Sequence, residues 1–253
     1  MFFSDSSFIG ITPVPSHKSF AYAALDCDLS LIALAEGEMS DVTAFMAGQD
    51  SASVAINAPA GVNRGLVREI TNRKMLTSYQ LRRTDLRLAE HELRERGISV
   101  MKTPASVELC PQWMQAGFTL YRKLGKMGFQ KYPERDSKLQ VLETNSHASY
   151  CVMAGQIPLA RLSLEGRLQR QTLLYENGLR IKDPMDFFEE ITRYRLLKGV
   201  LPMELAYLPE QLDALVAAYV VWLAVEKQER TTAVGDIREG QIILPIAELK
   251  NRY

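Results

Sequence analysis

Three apolar runs in succession, separated only by turn residues, open this chain and constrain its fold more than any other feature. Residues 8–11 (FIGI) form a short apolar run stopped by Thr12, Pro13 and Pro15, which predicts a buried strand ending in a turn. Residues 19–25 and 29–35 are apolar or alternating runs joined by Asp26, Cys27 and Asp28, the pattern of a hairpin. Ser40 and Asp41 can then cap a helix running towards Gly48, and residues 53–56 are a second short apolar strand ending at Asn57, Ala58 and Pro59. The opening order is therefore βββαβ.

Helices follow. One is predicted over 79–96, with Leu81, Leu86, Ala89 and Leu93 at helical spacing and Gly97 as its stop, and another over 111–126. Residues 139–142 read as a strand ending at Glu143, followed by a helix from Ser146 or His147 to Ala154. Helices are next predicted over 162–176, 185–198 and 209–226, each bounded by Gly or Pro. Short strands at 231–234 and 242–244, around Gly235 and Gly240, close the order. A set of three antiparallel strands followed by parallel additions, flanked by helices and interrupted by helical insertions, is the order of an RNase H-like mixed α/β sheet. At 253 residues, one elaborated domain over 1–253 is favoured over two.

Composition narrows the class. Hydrophobic residues make up 47% and charged residues 24%, which predicts a chain folded almost throughout. The longest apolar run, 214–225, is too short to span a bilayer, and the start MFFSDSSF lacks the pattern of a signal peptide, so a cytoplasmic location is expected. Cys27, Cys110 and Cys151 are odd in number and far apart, so buried free thiols are expected rather than disulfides or a zinc cluster. The net charge of zero predicts no overall attraction to nucleic acid. The distribution is nonetheless uneven. Residues 19–63 hold no Lys or Arg, whereas 64–102 hold ten basic residues against five acidic ones, which suggests either a basic face or a solvated helix with internal ion pairs. The glycines near Gly61 and Gly65 lack the spacing and the Lys of a phosphate-binding loop, which argues against a nucleotide triphosphatase.

In an RNase H-like sheet the ends of the first, fourth and fifth strands lie side by side, with the last helix crossing nearby. That layout predicts convergence of Thr12, Asn57, Glu143 and Asp213 as a catalytic set. Hydrolysis of a phosphodiester by two metal ions needs several clustered carboxylates. Thr12 and Asn57 are neutral, so Glu143 and Asp213 are the expected metal ligands, and Mg²⁺ or Mn²⁺ is expected to bind weakly. Each residue also has a plainer reading. Asp213 can favour a helix dipole, Glu143 can cap the following helix, and His147 has no partner at i, i+4. The stretch 164–193 mixes charges among Leu, Tyr and Phe. Arg167, Arg170 and Arg193 are candidates for gripping a phosphate, or else members of a structural salt network such as Glu189 with Arg193.

Beyond this pattern, FIGIT at 8–12, VAINAPAG at 54–61, VLETNSHAS at 141–149, LEGRLQRQ at 164–171, DPMDFFEEITR at 183–193, LDALVAAYVVWL at 212–223 and EGQIILP at 239–245 together resemble one group. It is the family called domain of unknown function 429, predicted nucleases with an RNase H-like fold. The resemblance implies that Glu143 and Asp213 occupy the family's acidic positions. It also marks Thr12 and Asn57 as departures, since members carry Asp after the first strand and often before the Ala-Pro pair. The expected function is a nuclease or phosphodiesterase with a depleted metal site. The alternatives are a catalytically silent binding protein for nucleic acid or a protein partner, and an enzyme acting on a small phosphate compound.

Overall fold

The computed structural model describes residues 6–15, 19–71, 85–134, 136–192 and 198–253. Three strands open it: β1 (Ser6–Pro13), β2 (Ser19–Leu25) and β3 (Leu31–Glu38). β1 and β2, then β2 and β3, pair antiparallel. Helix α1 (Met39–Ala47) leads to β4 (Ser51–Ile56), which returns parallel to β1. The α1 cap differs from expectation. Glu38 is the N-cap residue, and Asp41 accepts the Glu38 N–H at 2.8 Å from inside the first turn.

After β4 come α2 (Leu66–Thr71), α3 (Leu88–Glu95) and α4 (Gln112–Lys126). Of the helix expected over 79–96, the part before residue 85 lies outside the described residues. Strands β5 (Gln130–Lys131) and β6 (Leu139–Thr144) follow, then α5 (Ser146–Ala154), capped by the Asn145 side chain on the Ala148 N–H. The cap is thus Asn145 and not Glu143. Helices α6 (Leu164–Glu176), α7 (Pro184–Glu190) and α8 (Pro209–Glu226) precede the hairpin β7 (Thr232–Asp236) and β8 (Gly240–Leu244).

The sheet has eight strands in the order β3-β2-β1-β4-β6-β8-β7, with β5 also paired to β6. Three antiparallel strands followed by parallel β4 and β6 give the RNase H-like core expected from the sequence. The β8-β7 hairpin extends it. Side chains alternate across a strand. Ile9 and Ile11 of β1 therefore face the core under α1 and α4, while Phe8 faces α8. Helix α8 is apolar all round and is buried from Leu212 to Ala224, which is the behaviour of a core helix. It passes so close to β1 that a Cβ on Gly10 would sit 2.0 Å from the Ala214 carbonyl oxygen. Gly10 is what lets the helix backbone lie on the strand.

Of the three thiols, Cys110 and Cys151 are buried as expected, but Cys27 is exposed in the turn after β2. Four of the ten basic residues at 64–102 are engaged within the fold, while Arg64 and Arg68 are exposed. Arg87 is buried, Arg94 and Arg96 donate to the Val100 and Glu92 carbonyls, and Lys102 pairs with Asp85. Arg73, Lys74, Arg82 and Arg83 lie outside the described residues.

Candidate functional site

The C-terminal ends of β1, β4 and β6 stand side by side, and the chain continues the sheet pairing one step further as the Asn57 N–H donates to the Ile11 carbonyl at 2.8 Å. A cleft of about 370 Å³ opens there. Thr12, Asn57, Glu143 and Asp213 all line it, so the strand ends and α8 bring together the four residues named from the sequence. Arg170 and His147 also line it. Arg167 does not: it donates from Nε to the Tyr207 carbonyl and from Nη2 to the Ala206 carbonyl, each at 2.7 Å, and so ties α6 to the start of α8. Arg193 lies outside the described residues.

Two of the four bond to each other. Asn57 Nδ2 donates to Thr12 Oγ1 at 2.8 Å, and Asn57 Oδ1 accepts the Ser146 N–H at 2.9 Å, at the start of α5. An Asn serves both contacts at once because its amide both donates and accepts. The acidic pair has partners that sequence reasoning missed. Arg87 straddles Glu143, with Nη2 at 2.5 Å from Oε1 and Nη1 at 3.0 Å from Oε2, while the Ala60 N–H donates to Oε2 at 2.8 Å. Arg87 also donates to Glu90 from Nε at 2.9 Å and to the Glu239 carbonyl at 3.1 Å. Burial works against the Arg87 charge, yet Glu143 and then Glu90 raise its pKa, so the guanidinium stays charged.

Asp213 is held in a similar way. Arg161 donates to Oδ2 from Nε at 2.9 Å and from Nη2 at 2.7 Å, and shares Nη2 with Glu210 at 3.1 Å. Burial raises the Asp213 carboxyl above its ordinary range, and Arg161 pulls it back. Arg170 is different. Its Nη1 donates to the Leu159 and Gly166 carbonyls and its guanidinium lies 5.4 Å from the Tyr150 ring centre. Among the described residues no carboxylate forms an ion pair with it. Burial, and to a lesser degree Arg161, lower the Arg170 pKa, against Tyr150 and Asp213. His147 is held neutral, its pKa lowered by burial and then by Arg170.

These contacts decide how a divalent ion would fit. Three guanidinium groups (Arg87, Arg161, Arg170) and three carboxylates (Glu90, Glu143, Asp213) line the cleft, so it offers no excess of negative charge. Among the described residues no group of three or more His, Cys, Asp or Glu is placed to hold a metal ion. Both oxygens of Glu143 are already bonded, and Asn57 and Thr12 are bonded to each other. The donor set therefore does not fit paired Mg²⁺ ions.

The segments around the cleft fasten one another. The Glu239 carboxylate accepts the N–H groups of Arg64, Leu66 and Leu88, at the starts of α2 and α3. Gly240 beside it has φ +103°, and a Cβ there would lie 2.6 Å from Glu143 Oε2 and 3.1 Å from Arg87 Nη1. Only glycine suits that conformation and leaves room for the ion pair. Nothing in the sequence pointed to Arg87 or Arg161. Arg87 sits inside a run that reads as surface charge, and Arg161 is the one charged residue in the loop between α5 and α6.

The sheet order and the cleft at its strand ends define an RNase H-like α/β protein in which guanidinium groups hold Glu143 and Asp213. The family model described as "Protein of unknown function (DUF429)" matches residues 17–238, and the chain belongs to that family. No curated protein matches it.

Proposed function

We propose that this protein is a binding member of its family, which takes a phosphate-bearing nucleotide unit into the cleft without paired metal ions. One observation carries the reading: both carboxylates expected to hold metal, Glu143 and Asp213, are bonded to Arg87 and Arg161. A site that has spent its negative charge on arginines has no electrostatic well for a cation. An anion meets the opposite situation at Arg170, whose guanidinium reaches the cleft with carbonyls and a ring as its partners. Guanidinium binds phosphate oxygens in a planar, bidentate manner. Trp113 of α4 lines the same cleft and offers a face on which a base can stack. The volume suits one nucleotide, free or at the end of a single strand, and not a duplex.

The test is calorimetric titration with adenosine monophosphate and, in a second arm, with a short single-stranded oligonucleotide, each in EDTA and in Mn²⁺. Saturable binding in EDTA is expected, weakened about tenfold by Arg170→Ala and about tenfold by Trp113→Ala. Tighter binding of the oligonucleotide than of the monophosphate would identify a strand end as the ligand. Binding that appears only with Mn²⁺, accompanied by cleavage of the oligonucleotide, would overturn the proposal in favour of a metal-dependent nuclease. Absence of binding in every arm would overturn it outright.

A further inference from the structure

We propose a second binding site, for a small aromatic carboxylate that carries a hydrogen-bond donor at the end opposite its acid group, in the split between β5 and β8. The split follows from the sheet. Along the β6 edge remote from β4, β5 pairs at Gln140 and Val141, and β8 pairs at Glu143 and Thr144. Two neighbours share one edge and diverge, with Leu142 between them. The gap is a cavity of about 550 Å³, within the range of small-molecule sites.

Its lining sorts by chemistry. Phe129, Tyr132, Val141 and Ile243 give a mainly apolar slot suited to a planar ring. At the buried side stands one acceptor. Tyr121 Oη donates towards two carbonyls, Ala58 at 3.2 Å and Leu142 at 3.3 Å. One proton serves both, so the oxygen lone pairs are open to a ligand N–H or O–H. Glu143 also lines the cavity, with both of its carboxylate oxygens already bonded to Arg87 and the Ala60 N–H. Burial and Glu143 raise the Tyr121 pKa, which keeps the phenol neutral. At the outer end stands a cation. Lys131 is exposed, donates to the Ile237 carbonyl at 3.1 Å, and acts at longer range on Asp236, a carboxylate whose hydrogen-bonded ion pair is with Arg238. A ring between an internal acceptor and an outer ammonium calls for a donor at one end and an anion at the other. This cavity lies across Glu143 from the cleft and does not depend on what the cleft binds.

The experiment is a ligand-observed NMR titration of the full chain with 4-hydroxybenzoate and with benzoate. Saturable binding of 4-hydroxybenzoate is expected, with benzoate weaker by about fivefold because it lacks the donor. Lys131→Ala should weaken both acids by about fivefold, the size of an exposed ion pair. Tyr121→Phe should weaken 4-hydroxybenzoate and leave benzoate unchanged, a split that mere loosening of the fold would not give. Ala233→Phe, on the exposed β7 edge of the cavity, should block both acids. Arg170→Ala, in the cleft, should affect neither. Absence of saturable binding, equal binding by the Ala233→Phe protein, or loss of binding in the Arg170→Ala protein would each overturn the proposal.

Discussion

Arg87 is 1% exposed, and a charge buried to that degree is tolerable only while its partners remain. Removing one partner should therefore cost far more than the pair itself contributes. Glu143→Leu is expected to destabilise the protein by about 3–5 kcal/mol, and Arg87→Met added to it should recover part of that loss by removing the stranded guanidinium. Urea unfolding of the two variants checks this, and a loss below about 1 kcal/mol for Glu143→Leu would show that the pair is not buried as described. His147 offers a test through pH. Its folded pKa lies below the ordinary 6.5, while the unfolded chain takes up a proton near that value. Stability from the neutral ring is thus present above about pH 6.5 and falls as pH drops towards the folded pKa. Two groups against it, Arg170 and Cys151, do not titrate in this window. Arg170 stays charged, and the Cys151 thiol, 3.7 Å from Nε2, is pushed up to about 11 by burial. His147→Gln should flatten the fall in melting temperature between about pH 7 and pH 5. An unchanged slope would place the acid sensitivity elsewhere. At this scale the sequence was half legible. Thr12, Asn57, Glu143 and Asp213 could be placed because each ends or follows a strand or opens a helix. Arg87 and Arg161 could not, since an arginine that neutralises a distant carboxylate carries no local signal.

Elements were read more securely than their edges. Helices α5 and α8 match the expected spans because Asn145 and Gly155 bound one and Pro209 opens the other, local signals that survive folding. β5 was missed. Two exposed residues, Gln130 and Lys131, pair only because β6 offers them an edge, which no periodicity announces. The contact between α8 and β1 gives the sharpest test of packing. Gly10→Ala would set a Cβ at 2.0 Å from the Ala214 oxygen and 2.2 Å from the Ala218 nitrogen, atoms that cannot yield without moving the helix. A loss of about 3 kcal/mol or more is expected, together with weaker ligand binding in the cleft, because α8 carries Asp213. Gly125→Ala is the control. Gly125 lies in α4 with nothing within 4 Å of its added Cβ, so alanine there should stabilise the helix by about 0.5–1 kcal/mol. Equal melting temperatures for the two variants would contradict the close approach of α8 to the sheet.

Across the molecule, three packing regions meet at the cleft. One face of the sheet carries α8, the other carries α1 and α4, and the β7–β8 hairpin packs with α3 and α5. The ion pairs cross these boundaries, since Arg87 precedes α3 and binds Glu143 of β6, and Arg161 lies between α5 and α6 and binds Asp213 of α8. If this arrangement, and not the neutrality of Thr12 and Asn57 alone, is what denies the cleft a metal well, then placing acids at those positions should not create metal binding. Thr12→Asp with Asn57→Asp adds two charges to a cleft whose own carboxylates remain paired. It also breaks the Asn57 to Thr12 hydrogen bond and sets like charges together. The double variant is therefore expected to melt lower than the parent, and Mn²⁺ should recover little of the loss. Adding Arg161→Ala frees Asp213 beside the new acids. In that triple variant the melting temperature should rise with Mn²⁺, since an ion that binds only the folded chain stabilises it in proportion to the logarithm of its concentration. Thermal scans in EDTA and in millimolar Mn²⁺ separate the cases. A double variant already stabilised by Mn²⁺ as strongly as the triple one would show that Arg161 does not hold Asp213 against a metal, and the nuclease reading would then take precedence.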